Sequence, residues 1–400
     1  MTLLKSLDLF SGVGGITRAL EGIAEPKGYC EIKPESQRVL LARMRDGGLP
    51  EAPIFDDVTK LTLANPLVAH KMGTHIDLLA CGWPCQDLSP MGLRKGMRKG
   101  TRSGLISEVY RLTDELKPSA LLLENVPEVL NNGFDRMIDS FVRERGYEMR
   151  WVVVPASSVG APHHRKRFFC LVMRPGWRPK FSGLDKYKTS SWAKEPPRMV
   201  VEHVPDRVRR VEQMGNSVVP DCVRAAFITL VRGFDAVPSR KLLRTTKTLQ
   251  VTDVDMTLVE RVTLKEQAPK WGCARVVDGK VQIFAVKQIP KMRVPDLKLV
   301  LDPKKFVRRR STTTNTRGFI SERIRKPLAL STWSTPRLIS GSSNILTERT
   351  SRDLPTQVRF EVKTPERLRA GRISPQFAAF MMGYPLNWTR VSAPTKKARP

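Results

Sequence analysis

What this chain has little of narrows its reading before any motif is considered. Cysteine is scarce, with six in 400 residues (30, 81, 85, 170, 222 and 273), too few and too scattered for a disulfide framework. Cys81 and Cys85 stand four apart, yet no second Cys or His cluster completes a zinc site, and His163-His164 is isolated, so no metal is expected. No apolar run approaches the roughly 20 residues that cross a bilayer. The start, Met1–Ser6, leads straight into a strand-like segment without the parts of a secretory signal. An intracellular, cytoplasmic protein with no membrane partner is therefore expected. No internal repeat is visible, and 400 residues suffice for two domains with cores of their own.

Acidic residues are also short. The chain carries 39 Asp and Glu against 69 Lys and Arg, a net charge of +30, and the excess is uneven. Residues 238–400 hold 34 basic and 12 acidic residues, so most of the positive field belongs to the C-terminal 163 residues. A polyanionic partner explains such a surplus most simply, although a solvated tail would account for Lys396-Lys397-Ala398-Arg399 alone.

The N-terminal half alternates short apolar runs with helix-length segments, the pattern of an α/β fold built from βαβ units. Leu3–Phe10, Ile76–Ala80 and Ala120–Leu123 read as strands, and Ser103–Leu116 reads as a helix closed by Lys117-Pro118. Met149–Pro155 and Arg167–Met173 read as an antiparallel pair at the sheet edge. From Arg174 to Pro205 the composition is that of a linker. A compact element follows at Val211–Arg232, in which a Gly-Asn-Ser turn feeds an amphipathic helix from Asp221. Beyond Pro238 come β-branched stretches around an Asp278-Gly279 hairpin signal, a basic Ser/Thr-rich segment at 304–326, and a short helix at Pro375–Met382.

In open α/β sheets, ligands sit beyond the carboxyl ends of the strands, and the chemistry-bearing residues fall there. Asp8-Leu9-Phe10-Ser11-Gly12-Val13-Gly14-Gly15 follows the first strand; its glycines permit close backbone approach and expose amides at a helix start. Thr17 occupies the third glycine position of a Gly-x-Gly-x-x-Gly pattern, which weakens a dinucleotide reading. Glu31, at the end of a second strand, is either a ribose-binding carboxylate or a surface acid, and spacing leaves both open. Asp57-Val58 could hold an adenine amino group. Trp83-Pro84-Cys85-Gln86 presents a cysteine fixed behind proline, a candidate nucleophile.

Taken in order, Asp8–Ile16, Pro84-Cys85-Gln86, Glu124-Asn125-Val126, Arg165-Lys166-Arg167 and Gly215-Asn216-Ser217 resemble the motifs of DNA cytosine-5 methyltransferases, over roughly residues 1–232. The resemblance implies a Rossmann-like methyltransferase sheet, S-adenosylmethionine as methyl donor and cytosine in double-stranded DNA as substrate. It assigns Cys85 as nucleophile, Glu124 as the acid at the ring nitrogen, Asn125 as an orienting group, and Arg165 and Arg167 as partners of the base, phosphate or nucleophile loop. It assigns cofactor binding to Phe10, Gly12, Gly14, Gly15, Glu31, Asp57, Val58, Pro84, Asn216 and Ser217. Thr101–Leu105 resembles the family's Arg-Ser-Gly segment, and Ser89–Thr101 reads as a lid.

The chain departs from the family at three places. Cys81 stands where relatives usually have glycine, and His163 where they usually have glutamine. Only 47 residues separate Arg167 from Gly215, too few for the recognition region usually found there. Trp333–Pro336, the stretch from Asn344 to Arg359, and Ser374-Pro375-Gln376-Phe377 through Thr389 resemble segments that phage and prophage members carry near target recognition. A reordered chain is inferred: a catalytic domain at 1–232 and a smaller basic, mostly β or irregular recognition region at 238–400. Arg308-Arg309-Arg310 and Arg323–Lys326 are candidate phosphate contacts, as are Arg317 and Arg337. A monomer is expected, phage-encoded or from a mobile element, with a restriction endonuclease as a further partner. Two alternatives remain open at this point, a catalytically silent DNA-binding homologue and methylation of transfer RNA.

Overall fold

The structure is a computed structural model that describes residues 3–84, 105–200, 202–245, 247–264, 268–287 and 372–391. Ten strands form one mixed sheet, and its parallel half is the part that positions the site. Here β1 (Leu4–Leu9) lies between β2 (Ala24–Cys30) and β4 (Leu78–Cys81), with β3 (Ile54–Phe55) outside β2 and β5 (Ala120–Asn125) outside β4. Every residue of β4 and β5 is buried, as a strand covered on both faces requires, which is why both read as continuous apolar runs. The chain leaves β1 on one side for β2 and on the other for β4. That reversal opens a crevice at the carboxyl ends of β1, β2, β4 and β5.

Beyond β5 the sheet turns antiparallel. β7 (Lys166–Met173) pairs with β5, and β6 (Glu148–Pro155) pairs with β7. This pair does not form the edge that the sequence suggested. After two short strands, β8 (Lys180–Ser182) and β9 (Met199–Val200), and β10 (Thr248–Gln250), the chain returns to the sheet. It adds β11 (Val259–Val262), β12 (Trp271–Val277) and β13 (Lys280–Val286), with β12 hydrogen-bonded to β6. Asp278-Gly279 forms the expected hairpin turn, both residues taking positive φ (51° and 70°). The compositional boundary at 232–238 is thus not an end of the sheet.

Helices cover both faces. One face carries α1 (Gly15–Ala19), α2 (Pro34–Arg45), α6 (Arg207–Asn216), α7 (Pro220–Val231) and α8 (Arg240–Thr245). The other carries α3 (Pro66–Met72), α4 (Ile106–Leu116) and α5 (Phe134–Ile138). The expected amphipathic helix from Asp221 is α7, but all twelve of its residues are buried, because it is held between the sheet strands β6 and β7 and the helices α1 and α8. Its two charged residues find partners inside the protein. Asp221 accepts from the Tyr187 hydroxyl at 2.6 Å, and Arg224 donates to the carbonyls of Ala19, Glu21 and Leu184.

The segment 372–391 supplies β14 (Arg372–Ile373), paired with β9, and α9 (Pro375–Met381), packed on α6. Ser374 caps α9 by accepting from the amides of Gln376 and Phe377. Expected as part of a recognition region, this segment instead packs into the same core as α1 and α7, because Phe377, Phe380, Met381, Tyr384 and Trp388 are apolar and buried there.

Candidate active site

A cavity of about 380 Å³ lies at the crevice, and most of the residues singled out by sequence line it. Phe10 and Gly12 come from the turn after β1, Glu31 from the end of β2, Asp57 and Val58 from the turn after β3, and Pro84 from just beyond β4. Glu124 and Asn125 close β5, Arg165 precedes β7 and Arg167 stands at its start, and Asn216 ends α6 with Ser217 just beyond. Cys85 lies outside the described residues. So do the expected lid Ser89–Thr101, the segment Arg102-Ser103-Gly104, and all the candidate basic contacts between 304 and 337.

The turn after β1 is held from several sides. Phe10 and Gly12 take positive φ (54° and 56°), and a side chain on Gly12 would meet nothing nearer than the Phe10 carbonyl at 4.0 Å, so its open side faces the cavity. The Gly12 amide donates to Glu31 Oε2 at 2.7 Å, and the Lys33 amide to Oε1 at 2.9 Å. Burial pushes the Glu31 carboxyl up from its ordinary range, and those two amides pull it back. Glu31 is therefore no surface acid. Asp57 accepts from the amide and hydroxyl of Thr59, which hold its carboxyl below the usual range.

Gly14 and Gly15 are not among the lining residues. A Cβ on Gly14 would collide with Leu49, and one on Gly15 with the Tyr384 hydroxyl, so both glycines are required by packing behind the turn.

On the other side of the cavity the buried Glu124 pairs with Arg167, Nε to Oε1 at 3.1 Å. Burial raises the Glu124 carboxyl, and the guanidinium groups of Arg167 and then Arg165 oppose that rise. Gly82 leaves the room: a Cβ there would stand 3.2 Å from Glu124 Oε2. Asn125 donates from Nδ2 to the Trp83 carbonyl at 3.2 Å and accepts the Val126 amide at 2.8 Å. The peptide leading into Pro84-Cys85 is thereby fixed to the end of β5. Arg165 donates to the carbonyls of Gly215 (2.8 Å) and Ser217 (2.9 Å), which fastens the Gly-Asn-Ser turn to β7.

His163 is fully buried. Its Nε2 donates to the Met381 carbonyl at 2.9 Å while Nδ1 accepts the Arg165 amide at 3.3 Å, which fixes the neutral tautomer. Burial and the neighbouring arginines push it down to about 3. Cys81 is a buried packing residue whose thiol burial holds well above its ordinary value.

Sequence reasoning missed Ile32, Lys33, Arg209, Glu212 and Gln213, all of which line the cavity. For three of them a signal existed. Gln213, Glu212 and Arg209 precede Asn216 by three, four and seven residues, so they share its face of α6. Ile32 follows Glu31 and is 68% exposed, an apolar side chain offered to the cavity mouth. Among the described residues, no group of His, Cys, Asp or Glu side chains could hold a metal ion, and no helix is long and apolar enough to cross a membrane.

Comparison with known proteins adds sequence kinship to this geometry. Residues 4–210 match the family described as C-5 cytosine-specific DNA methylase. The chain is 30% identical to the type II methyltransferase M.CviJI of Paramecium bursaria Chlorella virus IL3A, over 95% of this chain and 96% of that protein. It is 33% identical to the type II methyltransferase M.MspI of Moraxella sp, over 41% of this chain and 37% of that protein. Among solved structures, the S. pombe Dnmt2 methyltransferase is 20% identical over 44% of this chain and 53% of that one, with a TM-score of 0.34.

Proposed function

The chain belongs to the C-5 cytosine-specific DNA methylases and is a DNA (cytosine-5)-methyltransferase, and from that premise we propose how its residues divide the work. The observation that carries the proposal is the convergence on one cavity of a buried carboxyl, Glu124, and an asparagine that fixes the approach to Cys85.

S-adenosylmethionine is the methyl donor of this family, and the parts of the cavity fit it. The open side of Gly12, the carboxylate of Glu31, the apolar face of Ile32, and Asp57 lie along one wall. Glu31 would take the ribose hydroxyls, since each of its oxygens accepts one amide and keeps a second lone pair. Bound there, the donor supplies an electrophilic methyl group and leaves as a neutral thioether.

Carbon 5 of cytosine is a poor nucleophile until the ring is activated. The Cys85 thiolate adds to carbon 6 of a cytosine flipped out of the duplex, forming a C–S bond and moving the ring electrons toward N3. Glu124, whose carboxyl burial raises toward the protonated form, delivers a proton to N3. Carbon 5 then takes the methyl group, gives up its own proton to solvent, and the thiolate is expelled as the 5,6 double bond reforms and N3 returns its proton. Arg167 orients the Glu124 carboxyl, and Arg165 holds the Gly215–Ser217 turn against the same cavity.

Target selection falls to residues 288–371, which carry 19 Lys and Arg against 7 Asp and Glu. The relatives are named type II methyltransferases, which supports a restriction endonuclease as the partner in its system. Labelled methyl transfer onto a panel of duplex DNAs tests the whole reading. Wild type should label a subset of the duplexes and Cys85→Ala none; full retention by Cys85→Ala would sink the mechanism.

A further inference from the structure

The turn that begins the cofactor wall is held by a residue 375 positions away. The Trp388 indole N–H donates to the Val13 carbonyl at 2.9 Å, and Val13 lines the cavity. The indole is buried and flanked by two guanidinium groups, Arg18 at 5.2 Å and Arg43 at 5.6 Å from its ring. Arg43 also donates to the carbonyls of Asn387 (2.9 Å) and Trp388 (2.7 Å), and Asp46 pairs with it at 2.8 Å. Tyr384 lies beside Trp388, ring centroids 5.4 Å apart, with its hydroxyl in the space left by Gly15.

We propose that Trp388 is a positioning residue for the methyl donor. It acts through the Val13 carbonyl to fix the turn whose other side, the Gly12 amide, is tied to Glu31. The two anchors sit on adjacent residues and pull in different directions, one toward β2 and one toward the C-terminal segment. With both made, the peptide at Gly12-Val13 is set before the donor arrives, and binding costs no ordering of the turn. With Trp388 unable to donate, a buried carbonyl loses its partner and the turn is free to swing. The C-terminal segment is thus a working part of the cofactor site and not a support for the fold alone. The inference rests on the assignment of this cavity to S-adenosylmethionine.

The test uses the full chain. Trp388→Phe keeps an aromatic ring and removes the donor. Arg43→Ala loosens the segment from outside the cavity. Arg145→Ala is the control, because its ion pairs with Asp114 and Glu144 lie on the other face of the sheet. S-adenosylmethionine is titrated calorimetrically without DNA, and ligand-free melting is recorded in parallel. The Kd should rise about 5- to 20-fold in Trp388→Phe and Arg43→Ala and stay unchanged in Arg145→Ala. At saturating donor kcat should stay within about twofold of wild type, so the loss appears in KM. Unchanged Kd in a folded Trp388→Phe overturns the inference. If that variant does not fold, Arg43→Ala decides, and an unchanged Kd there overturns it equally. A wild-type chain that binds no S-adenosylmethionine overturns the cofactor assignment itself.

Discussion

At the scale of single residues, two buried carboxyls carry opposite consequences. In the proposed mechanism Glu124 serves N3 in its protonated form, and burial raises its carboxyl while Arg167 and Arg165 lower it. Removing Arg167 takes away the larger of the two opposing charges, so the acid should stay protonated to higher pH. In Arg167→Ala the alkaline limb of kcat set by Glu124 is therefore expected to move up, and pH profiles of wild type and variant check it. Glu124→Gln, which cannot release a proton, should lose about 10²- to 10⁴-fold in kcat at every pH.

Asp8 offers a stability test instead. It is buried at the end of β1, its Oδ2 accepts the Thr17 hydroxyl at 2.6 Å, its Oδ1 makes no hydrogen bond among the described residues, and burial pushes it up to about 7. A folded-state value above the ordinary 3.8 means that the folded form holds its proton longer. Stability is then intact below about 4 and is lost as pH climbs through about 7. Asp8→Asn should leave melting little changed below about pH 3, where the Asp8 carboxyl is protonated in both the folded and the unfolded chain, and raise it increasingly toward pH 8; a gain independent of pH would contradict this.

At the scale of elements, the antiparallel addition β6–β12–β13 rests on one close approach. A Cβ on Gly272 would collide with the Phe284 carbonyl and the Trp151 ring, which donates its own N–H to the Pro269 carbonyl at 2.7 Å. Gly272→Ala should cost about 1–3 kcal/mol of stability, read by denaturant unfolding, while kcat of the folded enzyme stays unchanged. Much of the element inventory was legible before the structure. The alternating runs marked β1, β4, β5, β6 and β7, and Asp278-Gly279 marked its hairpin. What stayed hidden was which edge that hairpin joins, since a turn signal fixes local pairing and says nothing about the strand beyond. The apolar stripe Phe377, Phe380, Met381 likewise announces burial without naming its partner, here α6. Within the site, the motifs located the walls, but the reason for Gly14 and Gly15 came only with Leu49 and Tyr384. Those packing partners are distant in sequence and carry no local mark.

At the scale of the whole molecule, the large sheet runs past the boundary at 232–238 that composition suggested. Residues 248–250, 259–262, 271–286 and 372–391 lie in the sheets and core described above, and the basic stretch 288–371 falls between them in sequence. That stretch is proposed to hold the duplex. Replacing Arg308, Arg309 and Arg310 with alanine should weaken DNA binding across all sequences. The slope of log K against log salt should fall by about 1 to 3, while S-adenosylmethionine binding is untouched. An unchanged slope would place the phosphate contacts elsewhere.

The measurement that bears most directly on the central claim is covalent trapping on duplex DNA whose target cytosine carries fluorine at carbon 5. Once methylated, such a ring has no proton to release from carbon 5, so the thiolate cannot be expelled. With S-adenosylmethionine present, wild type should form a denaturation-resistant protein–DNA complex through Cys85, and Cys85→Ala should form none. A wild-type enzyme that methylates ordinary DNA yet leaves no adduct, or an adduct that persists in Cys85→Ala, would contradict the account.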